Sequence, residues 1–318
     1  MNLAVIGCGN VGFAFLRWLK KQGHNVFGYD IKDDVKKRIR EELGSCCCAT
    51  SYEDIKCCNG VFICVPTESN KDGSADMSIY ETVIKQLRIT LTERKVAVIQ
   101  RSTCPPGSAE KYAAMLNKNV SYAVNPSFLR KSTIEYDTNN PDRIAIGGTG
   151  FSRELLLNLY ANITAPRFIT DSYTTVELLK YIENTIDAML IAYWNSILEY
   201  SSILKLSSND LEMLIEHTSE KDKFQNIARV PGKAFGLWCL PKDLHALIYE
   251  MNKSGIDSTL FEAINSINKR FDRLVGTGEV PAQELIVFEN GNAIIQEKGK
   301  QQIQNALSFF INDIYTNN

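Results

Sequence analysis

The chain has 318 residues, 44% of them hydrophobic and 23% charged, enough for two domains with a sizeable core. A formal net charge of −2 gives no basic field for nucleic acid or an anionic membrane. No apolar run approaches the ~20 residues that span a bilayer. The N-terminus goes straight into a buried-strand pattern, Asn2-Leu3-Ala4-Val5-Ile6, with no basic leader, so a cytoplasmic protein is expected.

The first half alternates short apolar runs with helix-like segments, the pattern of a parallel sheet wrapped by helices. Strands are predicted at 3–6, 25–29, 60–65, 95–100, 121–124 and 143–147, and helices at 10–22, 33–43, 78–92, 108–117 and 154–162. From about Thr174 the character changes. Residues 175–205 hold few breakers and a sustained 3.6-residue period, which predicts one long helix. Helices follow at 210–216, 242–251 and 258–274, and Gly276-Thr277-Gly278 then punctuates the chain. The remainder offers a strand at 284–288, a turn at Asn290-Gly291 and an amphipathic helix from about Ile294. The expected fold class is α/β. A Rossmann-type doubly wound parallel sheet (1–172) precedes an all-helical domain with a long central helix (173–276) and a short divergent tail (277–318).

Nine cysteines are present, in Cys46-Cys47-Cys48, Cys57-Cys58 and at 8, 64, 104 and 239. Adjacent cysteines rarely bridge one another, so reduced thiols are expected. CxxC spacing is absent and no histidine lies within the 46–58 group, so no metal site is expected.

Gly7-x-Gly9-x-x-Gly12, with Asn10 and Val11 between the last two glycines, follows the first strand and opens a helix. The first glycine permits a tight turn, the second admits a pyrophosphate to backbone N–H groups, and the third allows close helix–strand packing. Asp30 lies at the end of the second strand, where a carboxylate accepts from both ribose hydroxyls and repels a 2′-phosphate. NAD is therefore the expected cofactor. Further on, Cys239 stands behind Gly236 and four residues before Asp243, on a segment poor in other nucleophiles. A nicotinamide site with a candidate thiolate suggests an oxidation that passes through a carbon–sulfur bond.

Six blocks occur in order over residues 1–275. They are Cys64-Val65-Pro66-Thr67, Ser102-Thr103-Cys104-Pro105-Pro106-Gly107, Asn125-Pro126-Ser127-Phe128-Leu129-Arg130, Pro141-Asp142-Arg143-Ile144, Glu177-Leu178-Leu179-Lys180-Tyr181 with Asn184, and Cys239-Leu240-Pro241-Lys242-Asp243. With them the chain resembles the nucleotide-sugar 6-dehydrogenases, the family of UDP-glucose and GDP-mannose dehydrogenases. The run Pro231-Gly232-Lys233-Ala234-Phe235-Gly236 is closer in form to the GDP-mannose branch.

The resemblance implies a four-electron oxidation of a sugar C6 alcohol to a carboxylate with two NAD. It implies Cys239 as nucleophile, Lys180 and Asn184 as the pair that polarises the C6 oxygen, Asp243 as the group assisting water, and Thr103 as the hydroxyl that orients that water. It places Val65, Pro66, Thr67, Ser102 and Thr103 at the cofactor, and Phe128, Leu129, Arg130, Lys180, Asn184, Phe235 and Gly236 at the substrate. The long helix implies a homodimer; its apolar residues also fit packing within one chain. The residue chemistry agrees with these roles: Lys180 and Asn184 are four apart, hence on one helix face, and a lysine stabilises developing alkoxide charge. Taken singly, a solvated Lys180, a buried Cys239 and a helix-capping Asp243 are equally ordinary readings.

Three departures from the family pattern stand out. Ser127 and Lys131 occupy positions where members carry glutamate, the first a general acid/base whose loss typically costs ~10²–10⁴ in rate. Leu237 and Trp238 replace a Gly-Ser pair beside Cys239, adding bulk. Residues 277–318 are too short for the second Rossmann-like domain that holds the nucleotide in the family, so a weaker hold on substrate is expected. Two other readings stay open: a two-electron dehydrogenase of the β-hydroxyacid type, and a non-catalytic NAD-binding descendant.

Overall fold

Strand β1 (Asn2–Ile6) is buried at every position after the first, the mark of a strand covered on both faces. Its side chains alternate between two cores in a computed structural model that describes residues 1–130, 133–219, 232–236, 239–278, 286–289 and 292–316. Leu3 and Val5 join one apolar cluster, Ala4 and Ile6 the other. The period of two along the strand makes a sheet with helices on either side.

In chain order the elements of this part are β1, α1 (Asn10–Lys21), β2 (Asn25–Tyr29), α2 (Asp33–Leu43), β3 (Gly60–Ile63), α3 (Ser78–Thr90), β4 (Val96–Gln100), α4 (Ser108–Met115), β5 (Val120–Val124), α5 (Ile134–Asn139), β6 (Ile144–Gly148), α6 (Gly150–Leu159) and β7 (Arg167–Thr170). The long helix α7 (Tyr173–Ile203) follows. The sheet runs β2-β1-β3-β4-β5-β6-β7. From β1 the chain steps outward to β2 and then crosses to β3, a switch point that opens a crevice beyond the carboxyl ends of the strands.

The sheet departs from the all-parallel expectation at one seam. β5 and β6 pair antiparallel, Ala123 opposite Gly148 and Val124 opposite Gly147. Among the described residues the link between them holds one helix, the six-residue α5, about 9 Å long, too short to carry the chain back along the sheet. The ten-residue α6 does so, and β7 runs parallel to β6. β7 escaped the sequence reading because its four residues are mostly exposed and show neither alternation nor an apolar run.

The chain divides into two compact units, Met1–Asn70 with Ala75–Lys180 and Lys71–Ser74 with Tyr181–Asn318. The second unit is helical, with two small sheets added. After α7 it contains α8 (Ser208–Ser219), β8 (Ala234–Phe235), α9 (Cys239–Lys253), α10 (Thr259–Val275), β9 (Thr277–Gly278), β10 (Ile286–Glu289), β11 (Asn292–Ile295) and α11 (Glu297–Thr316). β8 pairs with β9 and β10 with β11; two-residue strands carry no readable period. Trp194, Leu198, Leu211, Ile215 and Phe271 share one core with Ile295, Ile303, Ala306 and Leu307. The last stretch of the sequence thus helps to close this unit's core. The turn expected at Asn290-Gly291 lies outside the described residues. No helix among the described residues is long and apolar enough to cross a membrane.

Candidate active site

The glycine turn after β1 is built as its spacing requires. Gly7 has φ +86°, and a Cβ there would meet the Cys64 carbonyl oxygen at 2.7 Å; a Cβ on Gly12 would meet the Gly7 oxygen at 1.9 Å. Around Gly9 nothing lies within 4 Å of such a carbon, so a phosphate can approach the main chain. Gly9 and Asn10 are exposed and Val11 half-buried. Gly9 caps α1 without a side-chain hydrogen bond, leaving the first-turn N–H groups to an incoming anion. Asp30 follows β2 and accepts from the Cys8 N–H at 2.8 Å and the Lys32 N–H at 2.9 Å. It therefore stands at the glycine turn with its carboxylate oriented by backbone. These features fit a dinucleotide.

The β3 and β4 ends complete this side. Ser102 Oγ donates to the Val65 oxygen at 2.7 Å, and Thr67 Oγ1 to the Thr103 oxygen at 2.7 Å. Val65, Thr67, Ser102 and Thr103 are thereby brought together, with Pro66 exposed beside them. On the same unit Lys180 Nζ lies 5.1 Å from the centre of the Phe128 ring, with the Arg143 guanidinium at 5.4 Å. Leu129 is half-buried. Arg130 is committed elsewhere: its main-chain N–H and its side-chain Nε and Nη2 donate to the Asp137 carboxylate at 2.9, 3.1 and 2.6 Å. Burial works to raise the Asp137 carboxyl, but the Arg130 hydrogen bonds hold it below the usual range.

One turn before Lys180, Glu177 is 2% exposed. Its carboxylate accepts from Gln100 Nε2 at 2.8 Å and from the N–H groups of Gly107 at 2.7 Å and Ala109 at 3.0 Å. Burial pushes this carboxyl from the ordinary 4.5 up to about 7, against the pull of those donors. Glu177 so ties α7 to the start of α4 and to the loop that carries Ser102 and Thr103.

In the second unit, Asn184 on α7 donates through Nδ2 to Asp243 on α9, and Lys242 pairs with the other carboxylate oxygen. Asp243 is 1% exposed, so a charge at this depth is held by a cation and an amide together. Cys239, the first residue of α9, is exposed. Pro241 sits in the first turn, where a missing N–H costs nothing. Upstream, two asparagine side chains grip the main chain. Asn195 accepts from the Gly232 N–H and donates to the Lys233 oxygen, both at 2.9 Å. Asn268 accepts from the Phe235 N–H at 2.7 Å and donates to its oxygen at 2.8 Å. The Phe235 ring belongs to a core with Ala188, Ala192, Leu244 and Ile264. Gly236 has no room for a side chain, since a Cβ would meet Thr277 Cγ2 at 1.7 Å. Lys131, Leu237 and Trp238 lie outside the described residues.

Residues 42–164 match the model of the UDP-glucose/GDP-mannose dehydrogenase family, NAD binding domain, and residues 174–270 match that family's central domain. The chain belongs to this family. It is an NAD-dependent oxidoreductase acting on CH–OH groups. A relative named as a putative UDP-glucose 6-dehydrogenase, from Bacillus subtilis, is 28% identical over 84% of this chain and 67% of its own length. A GDP-mannose 6-dehydrogenase of Pseudomonas syringae is likewise 28% identical, over 84% of this chain and 68% of its own. Among solved structures, a UDP-glucose dehydrogenase from Pyrobaculum islandicum superposes with a TM-score of 0.78 at 28% identity, covering 86% of this chain and 69% of that one. The chain thus spans about two thirds of the length of these family members.

Three residues of consequence escaped the sequence reading. Asn195 and Asn268 act on main-chain atoms far away in sequence, which no local pattern encodes. Arg101 is a buried guanidinium; its one visible signal is a charged residue just past the end of a strand, after the apolar Val96-Ala97-Val98-Ile99 and Gln100.

Proposed function

We propose that this chain oxidises the C6 alcohol of a nucleotide sugar to the uronate through a covalent adduct on Cys239. The reading rests above all on α9, where an exposed thiol at the first residue precedes by one turn a buried carboxylate bonded to Asn184. Asn184 in turn stands one turn from Lys180 on α7.

Bound NAD supplies the hydride acceptor, once for each two-electron step. Lys180 holds the C6 oxygen as its proton leaves and negative charge develops. Asn184 is kept in orientation by Asp243. The Cys239 thiolate adds to the aldehyde carbon, giving a thiohemiacetal; loss of a second hydride and a proton leaves a thioester. Water oriented by Thr103 and assisted by Asp243 adds to the thioester carbon, the sulfur departs as thiolate, and the carboxylate is released. Phe128 presents its ring to two cations and supports the substrate side. Ser127 cannot serve as a proton acceptor in the carboxylate range, so hydrolysis is the slow step in this reading.

A homodimer is part of the proposal. Ile182, Met189, Tyr193 and Tyr200 are exposed on α7 at spacings of seven, four and seven. That spacing gathers them into one stripe, the pattern of a helix awaiting a partner helix.

The test is NADH release from UDP-glucose and GDP-mannose at saturating NAD. Two NADH per sugar, lost in Cys239→Ala, is the expected result. A burst equal to the enzyme concentration identifies a trapped thioester. One NADH per sugar, unchanged in Cys239→Ala, moves the chain to the two-electron reading and overturns the thiol mechanism.

A further inference from the structure

We propose that Arg101 and Ser127 form a binding site for a small carboxylate anion of the size of formate or acetate. The site lies wholly within the first unit and does not depend on the reaction proposed above.

Arg101 follows β4 and is 8% exposed. Its Nη1 donates to Asn125 Oδ1 at 2.6 Å and to the Tyr160 hydroxyl at 3.1 Å, and its Nη2 donates to Ser127 Oγ at 2.5 Å. Its Nε finds no hydrogen-bond partner among the described residues. The guanidinium lies 3.9 Å from the centre of the Phe15 ring. Every one of these neighbours is uncharged. Burial pushes the adjacent Cys64 thiol up to about 11, although Arg101 pulls it down. Burial likewise raises the Tyr160 hydroxyl. Neither supplies a negative charge near neutral pH. Among the described residues Arg101 therefore has no counter-ion, an arrangement that costs stability because a cation removed from water needs one.

Beside it is a small cavity, with about 30 Å³ in which the centre of a water molecule can lie. That is room for more than one water or for an anion of three or four heavy atoms. Arg101, Ser127 and Asn125 line it, and Arg143 adds a second guanidinium. Among the described residues the one carboxylate on the wall, Asp137, is bound to Arg130 and to Thr133 Oγ1. The cavity thus offers the cation of Arg101, planar donors and a hydroxyl, which together suit a planar carboxylate. Ser127 stands where the family pattern places a glutamate. A bound formate would restore a carboxylate at that point in the sequence without a covalent link to it.

The full chain is melted in sodium formate, sodium acetate, sodium glucuronate and sodium chloride at equal ionic strength. Formate and acetate are expected to raise the midpoint by about 3 °C or more over chloride, in a saturable way. Glucuronate, too large for the cavity, is expected to match chloride. Ser127→Glu brings its own carboxylate to Arg101, so it should melt higher in chloride and lose the formate response. Arg101→Met should lose the response as well. Equal midpoints in formate and chloride, a glucuronate shift equal to that of formate, or a full formate response in Ser127→Glu would each overturn the site. Because Ser127→Glu keeps the cation and fills the cavity, the proposal stays open to refutation even if Arg101→Met does not fold.

Discussion

Glu177 shows how one buried side chain ties chemistry to folding. Its folded value of about 7 lies above the ordinary 4.5, so between those limits the folded chain holds a proton that the unfolded chain has released. Stability from this group is therefore greatest below about pH 4.5 and falls as pH rises towards 7, by about 3 kcal/mol in all. Glu177→Gln keeps the shape, removes the titration and turns an amide donor towards a main-chain N–H, at a cost of about 1–3 kcal/mol. Urea unfolding at pH 5 and pH 8 should show a wild-type loss on going to pH 8 that the variant lacks; parallel pH profiles would refute the assignment. That Glu177 stands one turn from Lys180 is readable in the sequence, because helical spacing is local. It could not place Gln100, Gly107 and Ala109 around it, because those donors arrive from a strand, a loop and the start of α4 some seventy residues earlier. Arg101 was hidden for the same reason: its partners Asn125 and Ser127 become neighbours only through the pairing of β4 with β5.

Elements with a long period or an unbroken apolar run, such as the four-residue β3, were legible; short ones with neither were not. α2 and α7 are read from their apolar spacing to within two residues at each end, since many turns repeat the same signal. β7, β8 and β9 run for two to four residues and repeat nothing. The reversal of β6 depends on the length of a helix that the sequence reading did not contain. α7 also carries the clearest prediction at this scale. If its exposed stripe meets a second copy, sedimentation should give a dimer, and Tyr193→Glu with Tyr200→Glu should yield folded monomer, because each charge would be placed in an apolar seam. A monomeric wild type at micromolar concentration would refute the dimer and leave the stripe exposed.

For the molecule as a whole, the order of the motifs carried the fold class and the family further than any single residue. Six short blocks constrain strand ends, a helix face and a helix start at once, and residues 42–164 and 174–270 match the family's two domain models. The division of the chain into two compact units has a measurable consequence. NAD should stabilise the first unit by about 2.7 kcal/mol at a hundred times its dissociation constant. A calorimetric scan should then show one transition moving and the other fixed. NADP should move it less, since Asp30 repels a 2′-phosphate; equal shifts would remove Asp30 from the ribose. The asparagine clamps at 195 and 268 have a consequence of another kind. Both grip N–H and C=O groups, which every non-proline residue offers, so they hold the course of the chain through Gly232, Lys233 and Phe235 without regard to most side chains there. Evolution can therefore rewrite most of the letters on this stretch while the main chain from Gly232 to Phe235 keeps its path.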